Sequence, residues 1–185
     1  GLEEGIITAA TVYNDVQAEF KSGTDTYKPK NDGYKYYGKR SLRQAVTTSQ
    51  NVPFVKVMAE LTVPKAKEYL TKMGITTLSE TNDVGLSLAI GGLHNGISPL
   101  EMAGAYAAVA NNGVYREPLF YTKVIDKDGN VVVEPEQKTE TVCSEQTAYV
   151  VKNMLTSVVK DSGGTASYCS ISGMDVAAKT GTTND

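Results

Sequence analysis

The sequence predicts an α+β chain dominated by helices, on three observations. Apolar residues recur at helical spacing between Ser41 and Asn112 and again between Ser144 and Lys160. The stretch from Leu119 to Val133 alternates with period two around D-K-D-G-N, and the tail from Asp175 to Thr183 reads as a strand. At 185 residues there is room for one domain with its own core, or for two small lobes sharing one, and not for two full domains.

The first forty residues mix β-branched and aromatic residues with Gly, Pro, Asn and Asp, which predicts short strands and loops. In S-L-R-Q, Ser41 and Gln44 form a capping box that opens a short helix over Leu42 to Thr48. Pro53 lacks an amide hydrogen and restrains Val52, so Ser49–Asn51 should fall between helices. A new helix is expected near Pro53, with Phe54, Val57, Met58 and Leu61 inward. The next lies between Thr62 and Gly74, with Ala66, Tyr69, Leu70 and Met73 inward. After a Gly-rich connection, S-P-L-E at Ser98–Glu101 opens a helix of small residues, M-A-G-A-Y-A-A-V-A, expected to be central and buried until Asn112-Gly113 ends it. Asp128-Gly129 suits a hairpin turn, and Ser144 caps a helix carrying Val150, Val151, Met154, Leu155, Val158 and Val159. The terminal strand has few evident sheet partners.

Bulk properties exclude several classes. A net charge of -3 offers no basic footprint, which sets nucleic acid aside as a partner. No apolar run reaches the roughly 20 residues of a spanning helix, and the first residues lack the pattern of a signal peptide. Two cysteines and a single histidine, His94 in a loop-like G-G-L-H-N-G, are too few for a metal centre, and no cofactor is implied. Whether Cys143 and Cys169 pair is left open, because spacing does not fix geometry. The tyrosines, among them Tyr34, Tyr36 and Tyr37, read as edge packing, and the acidic run from Glu134 to Glu140 as a solvated loop.

Chemistry concentrates in two triplets. Ser49-Gln50-Asn51 lies between helices and Lys179-Thr180-Gly181 on the terminal strand, and S-x-N followed by K-T-G is far more specific than either alone. An acyl-enzyme route needs a proton relay, donors for the oxyanion, and a cation with hydroxyls to hold a carboxylate. Ser49 can relay a proton and Asn51 can both donate and accept. Lys179 supplies charge, Thr180 and Thr182 supply hydroxyls, and Gly181 leaves room for an extended substrate. The backbone N–H of Thr182 is the candidate oxyanion donor.

Three stretches carry a resemblance: S-L-R-Q-A-V-T-T-S-Q-N-V-P-F-V-K, G-G-L-H-N-G-I-S-P-L-E-M-A-G-A-Y-A-A-V-A-N-N-G, and A-A-K-T-G-T-T-N-D. From about Ile6 onward the chain resembles the transpeptidase domain of class A, bifunctional, high-molecular-weight penicillin-binding proteins. The resemblance implies a β-lactamase/transpeptidase-like fold. It implies attack on a D-Ala-D-Ala stem peptide, transfer to an amine of a neighbouring strand, and acylation by β-lactams. It assigns Ser49 and Asn51 to the second motif, and Lys179, Thr180, Gly181 and Thr182 to the third. Gly164-Thr165-Ala166 resembles a segment that often precedes the third motif, with a structural role.

In that family the nucleophile lies in S-x-x-K, upstream of S-x-N. The only such match here, Ser157 to Lys160, comes after S-x-N and at a helix C-terminus, where the helix dipole favours lysine without catalysis. The expectation is therefore a partial transpeptidase domain over residues 1–185, with the nucleophile helix before Gly1 and the final sheet strands missing, inactive on its own. Its parent would work outside the cytoplasmic membrane, held by an anchor absent from this sequence, and the rest of the same domain would be its partner. A D,D-carboxypeptidase or β-lactamase, and a non-catalytic scaffold or sensor of the same build, are the alternatives. Open strand edges also leave a dimer or swapped assembly open.

Overall fold

The structure, a computed structural model, describes residues 1–22 and 25–182. Helical strength is concentrated where the caps were read. Ser41 Oγ accepts from Gln44 N while Gln44 Oε1 accepts from Ser41 N at 3.0 Å, opening α1 (Leu42–Thr47). The first strand pair stands just before it: β1 (Val12–Asp15) and, beyond the β2–β3 pair (Phe20–Ser22 with Asp25–Tyr27), β4 (Gly38–Ser41). β1 and β4 run antiparallel, with Val12 opposite Ser41 and Asp15 opposite Gly38. Among the described residues each of these sheets has two strands.

Then come α2 (Asn51–Leu61) and α3 (Val63–Lys72), joined at Thr62. α2 starts two residues before Pro53. A proline in the first turn forfeits no helical hydrogen bond, since those amides have no partner within the helix. Its buried side chains are Val52, Pro53, Val55 and Val57, whereas Phe54, Met58 and Leu61 are only half-buried. The expected single stripe fails because α2 is covered on more than one side, by α3, by β1 and by a 3-10 turn at Leu86–Ile90. On α3, Val63 and Ala66 are buried, while Tyr69, Leu70 and Met73 are half-buried.

Ser98 and Glu101 form the second capping box, at the start of α4 (Pro99–Ala110). Only Gly104, Ala105 and Ala108 of this helix are buried; Leu100, Met102 and Tyr106 are exposed, against the expectation of a central helix. Small side chains permit close approach on any face, but among the described residues only one face receives a neighbour. β5 (Val114–Arg116) follows and pairs antiparallel with β8 (Thr139–Thr141), which places part of the acidic run in a sheet. Between them, β6 (Val124–Ile125) and β7 (Val131–Val133) form the expected hairpin around Asp128-Gly129, shorter than the period-two stretch and exposed on both strands.

Helix α5 (Glu145–Lys160) is the centre of the core. Met154, Val158 and Val159 pack with Leu42 and Val46 of α1, Val57 of α2, and Ala166. Full burial of such a side chain contributes roughly 1.5–3 kcal/mol. Ser144 caps α5, and Glu3 reaches across to accept from Ser144 N at 3.1 Å and Ser144 Oγ at 2.8 Å, tying the first residues to this helix. Cys143 and Cys169 are both free thiols. The expected terminal strand does not form: residues 175–182 pair with no strand, and Ala178 N donates to Leu155 O at 3.3 Å instead. The expected strand end at Thr183, with Asn184 and Asp185 beyond it, lies outside the described residues. No helix among the described residues is long and apolar enough to cross a membrane.

Candidate functional site

Ser49 stands where α1 must turn into α2. The turn is closed by Ser49 N donating to Val46 O at 3.1 Å and Gln50 N to Ala45 O at 2.9 Å, and it sets Ser49 at φ 56°. This is the left-handed region, which costs a residue with a Cβ roughly 1–2 kcal/mol. The geometry lifts the Ser49 side chain out of the turn and buries that of Gln50, which is 3% exposed. Asn51 is the first residue of α2 rather than part of a loop, and its Nδ2 donates to Lys30 O at 2.8 Å.

The third-motif segment is laid along this turn by α5 and the segment after it. Thr165 N donates to Thr47 O at 3.2 Å, Ala166 N to Val158 O at 3.0 Å, and the hydroxyls of Thr165 and Thr180 lie 2.8 Å apart. The Gly-Thr-Ala segment thus joins the end of α1 to the K-T-G segment. Lys179 Nζ donates to Ser49 Oγ at 2.6 Å and to Thr180 O at 2.9 Å. An ammonium has three donors, so among the described residues one is left for a ligand. Burial lowers the Lys179 pKa from its ordinary 10.5. A Cβ built on Gly181 would meet nothing within 4 Å among the described residues, and Thr182 is exposed.

Of the predicted residues, the structure brings Ser49 and Lys179 into direct contact, with Thr180 beside them; Asn51 adjoins Ser49 in sequence and turns its Nδ2 to Lys30 O, and Gly181 and Thr182 continue the exposed segment after Lys179. The rejected pair is engaged elsewhere. Ser157, 5% exposed, accepts from Arg43 Nη1 at 3.0 Å, while Lys160 pairs with Asp175. Sequence reasoning missed Asp15, Lys30 and Asn31, which stand behind Asn51; K-P-K-N-D-G looked like loop composition, and no local spacing links it to Ser49.

The architecture is that of the β-lactamase/transpeptidase fold. A crystal structure of penicillin-binding protein 1A from Haemophilus influenzae superimposes with a TM-score of 0.82 at 23% identity, over 96% of this chain and 32% of that one. The D,D-transpeptidase domain of a peptidoglycan glycosyltransferase from Eggerthella lenta does so with a TM-score of 0.78 at 24% identity, over 100% of this chain and 51% of the other. The family model described as the penicillin binding protein transpeptidase domain matches residues 1–185, and the chain belongs to that family. It is 40% identical over 172 residues to penicillin-binding protein 1F of Bacillus subtilis, covering 93% of this chain and 23% of the relative. It is 37% identical over 184 residues to penicillin-binding protein 1A of Clostridium botulinum, covering 96% and 22%. The chain thus spans less than a quarter of the length of these relatives.

Proposed function

We propose that this chain is part of a peptidoglycan D,D-transpeptidase domain and contributes the S-x-N and K-T-G wall of its cleft, the nucleophilic serine coming from residues outside the chain. The observation that carries this reading is the 2.6 Å contact between Lys179 Nζ and Ser49 Oγ, residues 130 positions apart. A proton relay and a carboxylate-gripping cation are useful together only when they share one cleft.

The roles follow from the donors. The remaining Lys179 donor and the hydroxyls of Thr180 and Thr182 hold the C-terminal carboxylate of the stem peptide, which lies extended over Gly181. With its Nδ2 on Lys30 O, Asn51 presents Oδ1 to a substrate amide hydrogen. The serine oxygen adds to the carbonyl carbon of the penultimate D-Ala, and the Thr182 N–H receives the oxyanion. The D-Ala–D-Ala amide bond breaks, and the proton given up by the attacking serine hydroxyl is passed through Ser49 to the departing amine. The resulting ester is attacked by an amine of a neighbouring stem; a new amide forms and the serine oxygen regains its proton. A β-lactam opens by the same first attack and leaves the ester in place. The working location is the outer face of the cytoplasmic membrane, where stem peptides are cross-linked.

Labelled penicillin tests the reading. The full-length protein should give a covalent adduct on a serine upstream of Gly1, and the 185-residue chain alone none. An adduct mapped to Ser157 sinks the proposal. Supplying a stem peptide with an acceptor amine then separates transfer from hydrolysis by product mass.

A further inference from the structure

Gln50, the residue before α2, makes no side-chain capping bond, yet the first two amides of that helix are not left without partners. Asn31 caps the helix from twenty residues away. Its Oδ1 accepts from Asn51 N at 2.9 Å and from Val52 N at 3.2 Å. Its Nδ2 donates to Asp15 Oδ1 at 2.7 Å, to Asp15 Oδ2 at 2.9 Å and to Lys35 O at 2.9 Å. Asp15 Oδ2 also accepts from Tyr37 N at 3.0 Å. Asp15 is 0% exposed and Asn31 5%.

A buried amide flanked by donors on one side and a carboxylate on the other has a single satisfying orientation, because reversing it would set Nδ2 against two N–H groups. Asp15 therefore fixes which way Asn31 faces, and Asn31 fixes where α2 begins. The adjacent Lys30 carbonyl holds the Asn51 side chain at 2.8 Å, so both backbone and side chain of Asn51 are referred to the same two residues. Ser49 lies two residues upstream, on a strained turn that this anchor bounds on one side.

We propose that Asn31, oriented by Asp15, is a positioning residue for the S-x-N segment, setting Ser49 and Asn51 against Lys179. This rests on the catalytic reading of S-x-N above. A misplacement of about 1 Å in such a site lowers rate roughly 100-fold.

The test uses the full-length protein and labelled penicillin, with the binding constant and the acylation rate constant separated, and with melting temperatures recorded for each variant. Asn31→Ala should lower the acylation rate constant roughly 10- to 100-fold in the folded population. Asp15→Asn should do likewise, since two amides then face each other and Asn31 turns its oxygen away from α2. The exchange Asp15→Asn with Asn31→Asp keeps an acceptor on Asn51 N and Val52 N and a donor between the two side chains. It should be acylated faster than either single variant. A merely structural role would lower melting temperature and leave the rate constant of the folded population unmoved, and that result overturns the proposal. So does an exchange variant that folds and is acylated no faster than Asp15→Asn; if the single variants fail to fold, a folded exchange variant with no acylation is equally decisive. Absence of acylation in the unsubstituted protein would count instead against the function proposed above.

Discussion

Lys179 Nζ lies 2.6 Å from Ser49 Oγ, and both residues hold this contact in positions unfavourable to them. Ser49 takes a left-handed backbone conformation at φ 56°, and Lys179 carries its charge in a desolvated place. Neither arrangement serves stability, so substitutions here should separate stability from function.

Ser49→Gly and Ser49→Ala both remove the proposed proton relay, but only alanine keeps the Cβ that the left-handed turn disfavours. The glycine variant should be more stable than the alanine variant by roughly 1 kcal/mol, read from urea unfolding. Acylation by labelled penicillin should fall in both alike.

Lys179→Met should weaken acylation without lowering the melting temperature at neutral pH. The folded-state pKa of Lys179 is depressed, so between it and 10.5 the unfolded chain binds more protons than the folded one. The stability of the unsubstituted chain therefore rises as pH climbs through that window, and the methionine variant lacks this increment. Melting curves of the two at stepped pH up to about 10.5 check the sign. Acylation of the full-length protein should decline with rising pH through the same lowered pKa, as the ammonium proposed to grip the carboxylate is lost.

Both capping boxes, the Asp128-Gly129 hairpin and the apolar stripe of α5 were legible in the sequence because each is decided within a few residues. The gathering of Ser49 and Lys179 was legible only through the conjunction of two triplets. What stayed hidden depends on partners far along the chain. The buried face of α2 was misread because cover comes from several directions, and β5 and β8 meet across 22 intervening residues. Asn31 looked like turn composition, since nothing local indicates that its amide caps a helix at Asn51.

Ser157→Ala should leave penicillin acylation of the full-length protein unchanged and cost about 1 kcal/mol of stability. Ser157 Oγ serves as an acceptor for Arg43 Nη1, whose guanidinium also binds Asn153 O at 3.0 Å and Asn153 Oδ1 at 2.7 Å, joining α1 to α5. Loss of one acceptor from that fork weakens helix docking while the site wall stays assembled. An acylation rate that fell with Ser157 would revive the S-x-x-K match.

Glu101 should make the chain acid-sensitive. Its carboxylate accepts from Ser98 N at 2.9 Å, Ser98 Oγ at 2.8 Å, Thr76 N at 2.8 Å and Thr76 Oγ1 at 2.8 Å. The backbone amides of Thr76 and Ser98, then their hydroxyls, lower its pKa from 4.5 to about 2. A depressed carboxylate contributes stability that is complete above 4.5 and is lost as pH falls toward about 2. Glu101→Gln removes that titration, so its unfolding midpoint in urea should change less than the parent's between these two values.

Two glycines near Thr180 should respond oppositely to alanine. A Cβ on Gly164 would collide with Val158 O and stand 2.9 Å from Val158 C and 3.0 Å from Asp161 O, all backbone atoms of α5 and its end. These atoms are held by the helix and cannot retreat, so Gly164→Ala should cost roughly 1–3 kcal/mol and displace Thr165, whose hydroxyl meets that of Thr180 at 2.8 Å. Among the described residues, a Cβ on Gly181 meets nothing within 4 Å. Gly181→Ala should therefore melt with the parent, yet a methyl group there enters the space proposed for the substrate strand. Acylation of the full-length Gly181→Ala protein should fall through weaker binding, a rise in the penicillin dissociation constant; unchanged binding would mean that the ligand does not run over this segment.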